Sequence, residues 1–259
     1  LRIVEISADK HEVVRSLLDV AQVYAIEPCN HDQAIAFAKR ASLMEPDNGN
    51  DWGVIADIML IRNEYQDAMR ALQKALKYQE GFERTRTLLK MAQINSDLEE
   101  LIEATKLFHQ AAQLGAPLED LLPVAEHLIF LATMQHSQTA FETLCNDLIA
   151  ASPEEDRAEL LLQQAMTLAR VFDDLDSARR IIDVLKPHFA EFDLTQNCVL
   201  ADIFTLIHEE QTAIEPNFKI IRSNELSEKQ RFQRLQAMLV NATQIEDTAL
   251  IKNVCTAIM

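Results

Sequence analysis

Apolar residues recur along this chain at helical spacing, and one small residue keeps returning at the same place in the pattern. A polar cluster runs into an alanine at His31-Asp32-Gln33-Ala34, Tyr65-Gln66-Asp67-Ala68, Leu101-Ile102-Glu103-Ala104, Ser137-Gln138-Thr139-Ala140, Leu175-Asp176-Ser177-Ala178, Glu210-Gln211-Thr212-Ala213 and Glu246-Asp247-Thr248-Ala249. Successive alanines lie 34, 36, 36, 38, 35 and 36 residues apart. A quasi-period of that length marks helix pairs stacked into a solenoid. In the clearest unit Trp52, Ile55, Ala56 and Met59 share one helical face, and after a polar turn Ala68, Leu72 and Ala75 share another. This predicts helices over roughly 50–62 and 66–79. Where two helices cross closely, a side chain larger than Ala would push the axes beyond the usual ~8 to 10 Å. Ala56 and Ala68 are the expected crossing points.

Composition agrees with an all-helical reading. The 259 residues include only 4 Gly and 7 Pro, with 48% hydrophobic residues and few hairpin signals. A repeat array grows in one dimension and need not split into separate cores, so 1–259 is expected to be a single solenoid.

The residues of the second unit carry a resemblance. Trp52, Ile55, Ala56, Met59, Ala68, Leu72 and Ala75 fall in order on W-x2-L-G-x2-Y followed by A-x3-F-x2-A, the pattern of tetratricopeptide repeats (TPRs). The first unit is similar through Leu18, Ala21, Ala34, Ala38, Ala41 and the closing Pro46, and the third through Met91, Ala92, Ala104, Phe108 and Ala111. Departures include Ala56 or Ala92 for the motif glycine and Ala25 or Met59 for its tyrosine. The match is clear over about 15–118. From 119 to 259 the beat persists in three to four degenerate units, with Asp147 and Leu185 where an alanine is expected. The resemblance implies an all-α, right-handed superhelical solenoid of about six to seven antiparallel helix pairs.

Punctuation fits that frame. Asp47-Asn48-Gly49-Asn50 is a turn leading into an N-cap, and Ser152-Pro153-Glu154-Glu155 offers a Ser cap with Pro at the first helical position. Ser227-Glu228 opens the last pair, and Pro187 ends a helix. Glu215-Pro216 falls near the start of the sixth second helix and predicts that it is shortened or shifted.

The charge balance of 24 basic and 41 acidic residues, net -17, opposes attraction to nucleic-acid phosphates or anionic lipid, so neither is expected as a partner. Residues 119–158 alone carry eight acids against Arg157, either as a solvated outer face or as a dock for a basic partner. Cys29, Cys145, Cys198 and Cys255 lie far apart with no CxxC pair, which fits a reducing, cytoplasmic setting and buried packing. No apolar run reaches the roughly 18 residues of a membrane span. The chain begins with Leu1, which motivates an alternative reading as a regulatory or self-associating region of a larger signalling protein.

Chemistry is not expected. His11-Glu12 and His208-Glu209 begin an HExxH motif, but the second ligand position holds Arg15 or Thr212. The four glycines form no phosphate cradle, and no cysteine sits beside a histidine. No cofactor, metal or catalytic residue is assigned. Trp52, Phe37, Tyr65, Phe108, Phe141, Phe204 and Phe232 are assigned to packing.

The resemblance further implies a non-enzymatic scaffold that binds a protein or peptide partner on the concave face formed by first helices. Carrying the family's groove positions onto this chain marks Asp19 and Val23, then Asn50, Gly53, Asp57 and Leu60, then Arg86, Leu89, Lys90 and Gln93. Ala125, Glu126 and Ile129 follow, then Gln163, Thr167 and Arg170. Asp19 and Val23 do not match the clamp with which chaperone-binding members hold a C-terminal carboxylate, whereas Arg86 and Lys90, one turn apart, form a cationic pair that could hold an acidic group. Ile251, Val254, Ile258 and Met259 give the last segment an apolar side, which predicts a homodimer through that end or a missing capping helix.

Overall fold

The structure, a computed structural model, describes residues 10–26, 30–223, 227–244 and 248–258. Among them are fourteen α-helices and no strand. The chain forms two compact units, up to residue 132 and from 133 onward.

In the first unit α1 (Lys10–Ile26) packs on α2 (His31–Met44), α3 (Gly49–Ile61) on α4 (Tyr65–Ala75), and α5 (Gly81–Asp97) on α6 (Leu101–Gln113). Most of α7 (Leu118–Met134) completes it. Helices in contact across such short turns run antiparallel. The second unit holds α8 (Gln138–Ala151), which packs on α9 (Glu154–Arg170). It continues with the pairs α9 and α10 (Leu175–Leu185), α11 (Leu194–Leu206) and α12 (Glu210–Arg222), and α13 (Glu228–Gln244) and α14 (Thr248–Ile258).

The polar clusters of the repeat are first turns of second helices rather than turns before them. Ala34, Ala68, Ala104, Ala178 and Ala213 each occupy the fourth position of α2, α4, α6, α10 and α12, and all are 0% exposed. Ala140 holds the third position of α8; Ala249, second in α14, is exposed and departs from the pattern, and Glu246 and Asp247 lie outside the described residues. Ala56, the other expected crossing point, is also fully buried. Polar residues gather just ahead of these alanines because the first N–H groups of a helix lack intrahelical partners. Asn30 accepts from Gln33 N–H at 3.2 Å, and Asp174 accepts from Ser177 N–H at 3.0 Å.

First helices end in a repeated device. Asn63, Glu99, His136, Asp173 and His208 are left-handed, with φ between 50 and 60°. After them the chain folds back, so that Glu64 N–H donates to Met59 O at 2.9 Å, and Glu100 and Glu209 N–H donate to Asn95 and Phe204 O at 2.8 Å. These six-to-one bonds close helix ends of the Schellman type, where Gly is the usual left-handed residue. None of the five is Gly, so each bears a Cβ cost that a glycine would not.

Several expectations are corrected. Ser152 does not cap α9: its hydroxyl donates back to Leu148 O at 2.7 Å, and Pro153 stands at the N-cap. Pro216 neither shortens nor shifts α12, which starts at Glu210 on the repeat's beat and carries the proline inside it. Pro123 likewise lies inside α7. Phe108, Phe141 and Phe204 are core, and Phe37, Tyr65 and Trp52 pack partly buried, but Phe232 is 45% exposed, ahead of the buried stripe Leu235, Met238 and Ala242. The apolar side expected to lie open at the C-terminus turns inward at Val254, 0% exposed, and at Ile251, which packs on the same cluster. The side chain of Ile258, and Met259, lie outside the described residues, as do Cys29 and the Cys255 side chain. Pro187 ends α10, followed by a turn of 3-10 helix, Lys186–His188. Asp193 and Gln196 form a capping box on α11, and Ser227 with Gln230 does the same work for α13.

Gly49 starts α3 against the end of α4: an added Cβ would lie 2.6 Å from Gln79 Cγ and 2.9 Å from the Ala75 carbonyl oxygen. Gln79 is buried here, accepting from Thr87 Oγ1 at 2.6 Å and reaching Gly49 O at 3.4 Å, so it has little room to yield. Gly49→Ala is expected to lower stability by about 1 to 3 kcal/mol in urea denaturation. Asp173→Gly, at an exposed left-handed helix end, is expected to raise it by about 0.5 kcal/mol in the same measurement.

Candidate interaction surface

In the first unit the first helices form a row, tied edge to edge by polar side chains. Lys90 of α5 donates to both carboxylate oxygens of Asp57 on α3, at 2.7 and 2.9 Å. One turn on, Gln93 Nε2 donates to Asp97 at 2.9 Å and lies 3.1 Å from His127 Nδ1 on α7. Ser96 Oγ lies 3.2 Å from the same ring nitrogen. An amide N–H can only donate, so Nδ1 is the acceptor and the ring proton belongs on Nε2. The second unit repeats the device where Arg234 of α13 donates to Asp202 of α11.

Of the residues marked in the sequence, Asp57, Lys90 and Gln93 belong to this network. Asn50 and Arg86 are exposed at the N-terminal ends of α3 and α5. The Arg86 guanidinium lies over the Phe82 ring at 5.6 Å, and Phe82 itself is 54% exposed. Arg86 and Lys90 are engaged differently: the first lies over an aromatic ring and the second is held by Asp57. Leu89 and Ala125 do not face a groove, because both are buried in the helix core.

In the second unit Gln163 is exposed and donates to Glu159 at 3.3 Å. Thr167 turns its hydroxyl onto Gln163 O at 2.9 Å, and Arg170 is exposed in the last turn of α9, where a cation favours the helix dipole. Sequence reasoning missed His127 and Phe82. The 34-residue step from Gln93 to His127 and the four-residue step from Phe82 to Arg86 are the signals that could have found them.

Gly53 lies in α3 between Asn50 and Asp57 on the same face, and a Cβ there would meet nothing within 4 Å. Packing therefore does not require it, although a glycine inside a helix costs about 1 kcal/mol relative to Ala.

The acids of the 119–158 stretch are mostly helix-start charges. Glu119 and Asp120 lie in the first turn of α7, and Glu154, Glu155 and Asp156 in the first turn of α9, where carboxylates favour the dipole. Among the described residues no group of three or more His, Cys, Asp or Glu could hold a metal, and no helix is long and apolar enough to cross a membrane. Burial pushes the Cys145 thiol up to about 12, aided by Glu142, which opposes a nucleophilic thiolate.

No family model and no curated protein sequence matches the chain. The structure of Naa15/Naa10 bound to HypK-THB contains a chain that matches 94% of this one at a TM-score of 0.61 and 12% identity. This chain spans 36% of that one. The chain has a TPR-like, all-α helical-repeat fold. A tetratricopeptide repeat protein from Parabacteroides merdae matches 93% of this TPR-like chain, over 96% of its own length, at 14% identity and a TM-score of 0.42. YrrB, a TPR protein with an unusual peptide-binding site, matches 72% over its full length at 13% identity and a TM-score of 0.43. At such identities the likeness bears on the fold alone.

Asp51, in the first turn of α3, is 0% exposed and neither carboxylate oxygen has a hydrogen-bond partner. Desolvation, with the nearby Glu45 charge, pushes its pKa from 3.8 up to about 6 and overrides the favourable helix start. The folded state thus holds the Asp51 proton more tightly than the unfolded chain. That stabilisation is complete below about pH 4 and is lost as pH rises through about 6, by about 2 to 3 kcal/mol. Wild type minus Asp51→Asn, compared by urea denaturation from pH 4 to 7.5, should show this slope, with the variant the more stable at pH 7.5.

Proposed function

We propose that the chain is a non-enzymatic scaffold that binds a peptide or protein segment along its first-helix face. Gly53 carries the reading. It leaves open space beside Asn50 and Asp57 at a helix position where nothing in the packing forbids a side chain. A partner backbone could approach the helix closely there. Asp57 and Lys90 flank the notch as a bonded pair with hydrogen-bonding capacity left over. The exposed Arg86 and Phe82, a residue pair typical of binding hot spots, supply an anchor on the adjacent helix. The rigid row pre-organises these groups and lowers the ordering cost of binding.

The same reading assigns Gln93 to the face in the first unit and Gln163, Thr167 and Arg170 to contacts in the second. It keeps nucleic acid and anionic membrane out of the partner class on charge, at net -17. A cytoplasmic setting goes with it through the unpaired spacing of the cysteines. Dimerisation through the C-terminal end is the weaker alternative, because Val254 and Ile251 are already packed within the last helix pair.

The test selects binders from a random peptide library and compares variants. Gly53→Trp, which fills the notch, is expected to weaken binding tenfold or more with the unfolding midpoint retained, and Arg86→Glu to weaken it for peptides with an acidic anchor. A photo-crosslinker at Gln93 should capture a peptide on the first unit and one at Gln163 a peptide on the second, and those at Arg70 and Lys106, on second helices, should not. Unchanged affinity in Gly53→Trp with crosslinks only from the second helices would overturn the proposal.

A further inference from the structure

In the first unit large apolar side chains stand exposed where the first helices end. Ile61 closes α3, Leu98 caps α5, Ile102 lies in the first turn of α6 and Phe130 near the end of α7, all between 43 and 72% exposed. The repeat brings them to one edge. Ile61 and Leu98 occupy the ends of successive first helices, and Leu98 and Ile102 flank the α5–α6 turn. Asp97, next to Leu98, lies 3.8 Å from His127 on α7, and Phe130 follows His127 by three residues on the same helical face. The neighbouring positions Ile94, Leu101 and Leu128 are buried and already serve the core, so the exposed four are surplus to it. Large apolar residues gathered in this way mark an interaction surface.

The charge around them is mainly of one sign. Residues 61–70 and 97–106 carry Glu64, Asp67, Asp97, Glu99, Glu100 and Glu103 against Arg62, Arg70 and Lys106. All three cations are already held. Arg62 lies 2.6 Å from Asp32 and 2.8 Å from Glu64, Arg70 3.0 Å from Asp67, and Lys106 2.9 Å from Glu103. Glu100 is exposed at the start of α6, where its side chain makes no capping bond. A partner that covers the apolar residues therefore meets carboxylates and has to bring its own cations. A second copy of this chain, at net -17, would set like charge against like, and an anionic lipid surface would be repelled for the same reason.

We propose that this edge docks a basic, amphipathic segment of a partner protein, its large apolar side chains laid over Leu98, Ile102 and Phe130 and its Lys or Arg residues reaching Glu100 and the neighbouring carboxylates. Burial of apolar surface supplies most of the affinity, because an exposed ion pair contributes little. The carboxylates decide which segments are admitted and speed their encounter. This edge is a different site from the Gly53 notch. Gly53 lies eight residues before Ile61, about 12 Å back along α3, so occupancy of the edge does not depend on the notch.

The probe is a synthetic peptide with leucines at three- and four-residue spacing and lysines between them, titrated against the full chain by fluorescence anisotropy. Saturable binding is expected, and it should weaken about tenfold or more when the lysines become glutamates or the leucines become serines. Leu98→Ser combined with Ile102→Ser is expected to weaken it about tenfold with the unfolding midpoint retained, since both residues are exposed. Glu100→Lys should weaken it more at low salt than at high salt. Leu43→Ser and Glu80→Lys, the same kinds of change at exposed positions away from the edge, and Gly53→Trp should leave the affinity unaltered. Equal losses in those controls, or full affinity in the Leu98 and Ile102 double variant, would mean only a general attraction of cations to an acidic chain and would overturn the proposal. Self-association in sedimentation that the double variant abolishes would also overturn it, by assigning the edge to a second copy, and so would binding to neutral phosphatidylcholine vesicles lost in the same variant, by assigning it to a membrane.

Discussion

The structure depends on the close approach of helices at buried alanines. Ala34, Ala68, Ala104, Ala178 and Ala213 sit at one position of successive second helices with no exposed surface. A methyl group is the largest side chain that lets the axes meet at the distance the rest of each pair assumes. The remaining packing follows from that contact. Ile55 and Leu72, or Leu121 and Leu128, are buried in the same core, and the polar residues just ahead of Ala34, Ala68, Ala104 and Ala213 are exposed at the helix start, whereas Ser177 is buried.

Turns then translate this packing into a repeated surface. The first helices α3, α5, α7, α9 and α11 each stop in a left-handed residue that is not glycine, so the fold accepts a modest backbone cost at the same place in both units. In return the second helix starts in a fixed register, and within each unit side chains of neighbouring first helices come together. Asp57 with Lys90, and Asp202 with Arg234, show the consequence: residues 33 and 32 positions apart meet as neighbours. Exposed ion pairs contribute little to stability. Their value here is positional, since they hold polar side chains in place on the surface proposed to meet a partner.

The helix pairs, their number and their all-helical class were legible in the chain because they rest on local rules. Apolar spacing of three and four, a small residue at each crossing and helix-start polar residues all act within a few positions of one another. Where local rules compete, reading fails. Ser152 carries a capping side chain but spends it on the preceding helix, and Pro216, expected to shorten or shift its helix, lies inside one that tolerates the missing N–H. Of the candidate surface, Asp57, Lys90 and Gln93 could be placed from the repeat, whereas the engagement of Lys90 by Asp57 could not.

The sequence by itself determined that helices form, where they start and how often the pattern returns, since each of these is set by residues close in the chain. Only the tertiary structure decided which polar groups are spent and which remain open. It paired Lys90 with Asp57, left Gly53 beside empty space, buried Asp51 without a partner and committed both protons of Asn197 while leaving its oxygen bare. The reason is physical: a side chain's hydrogen bonds and desolvation depend on neighbours brought from tens of residues away, and no local pattern specifies them.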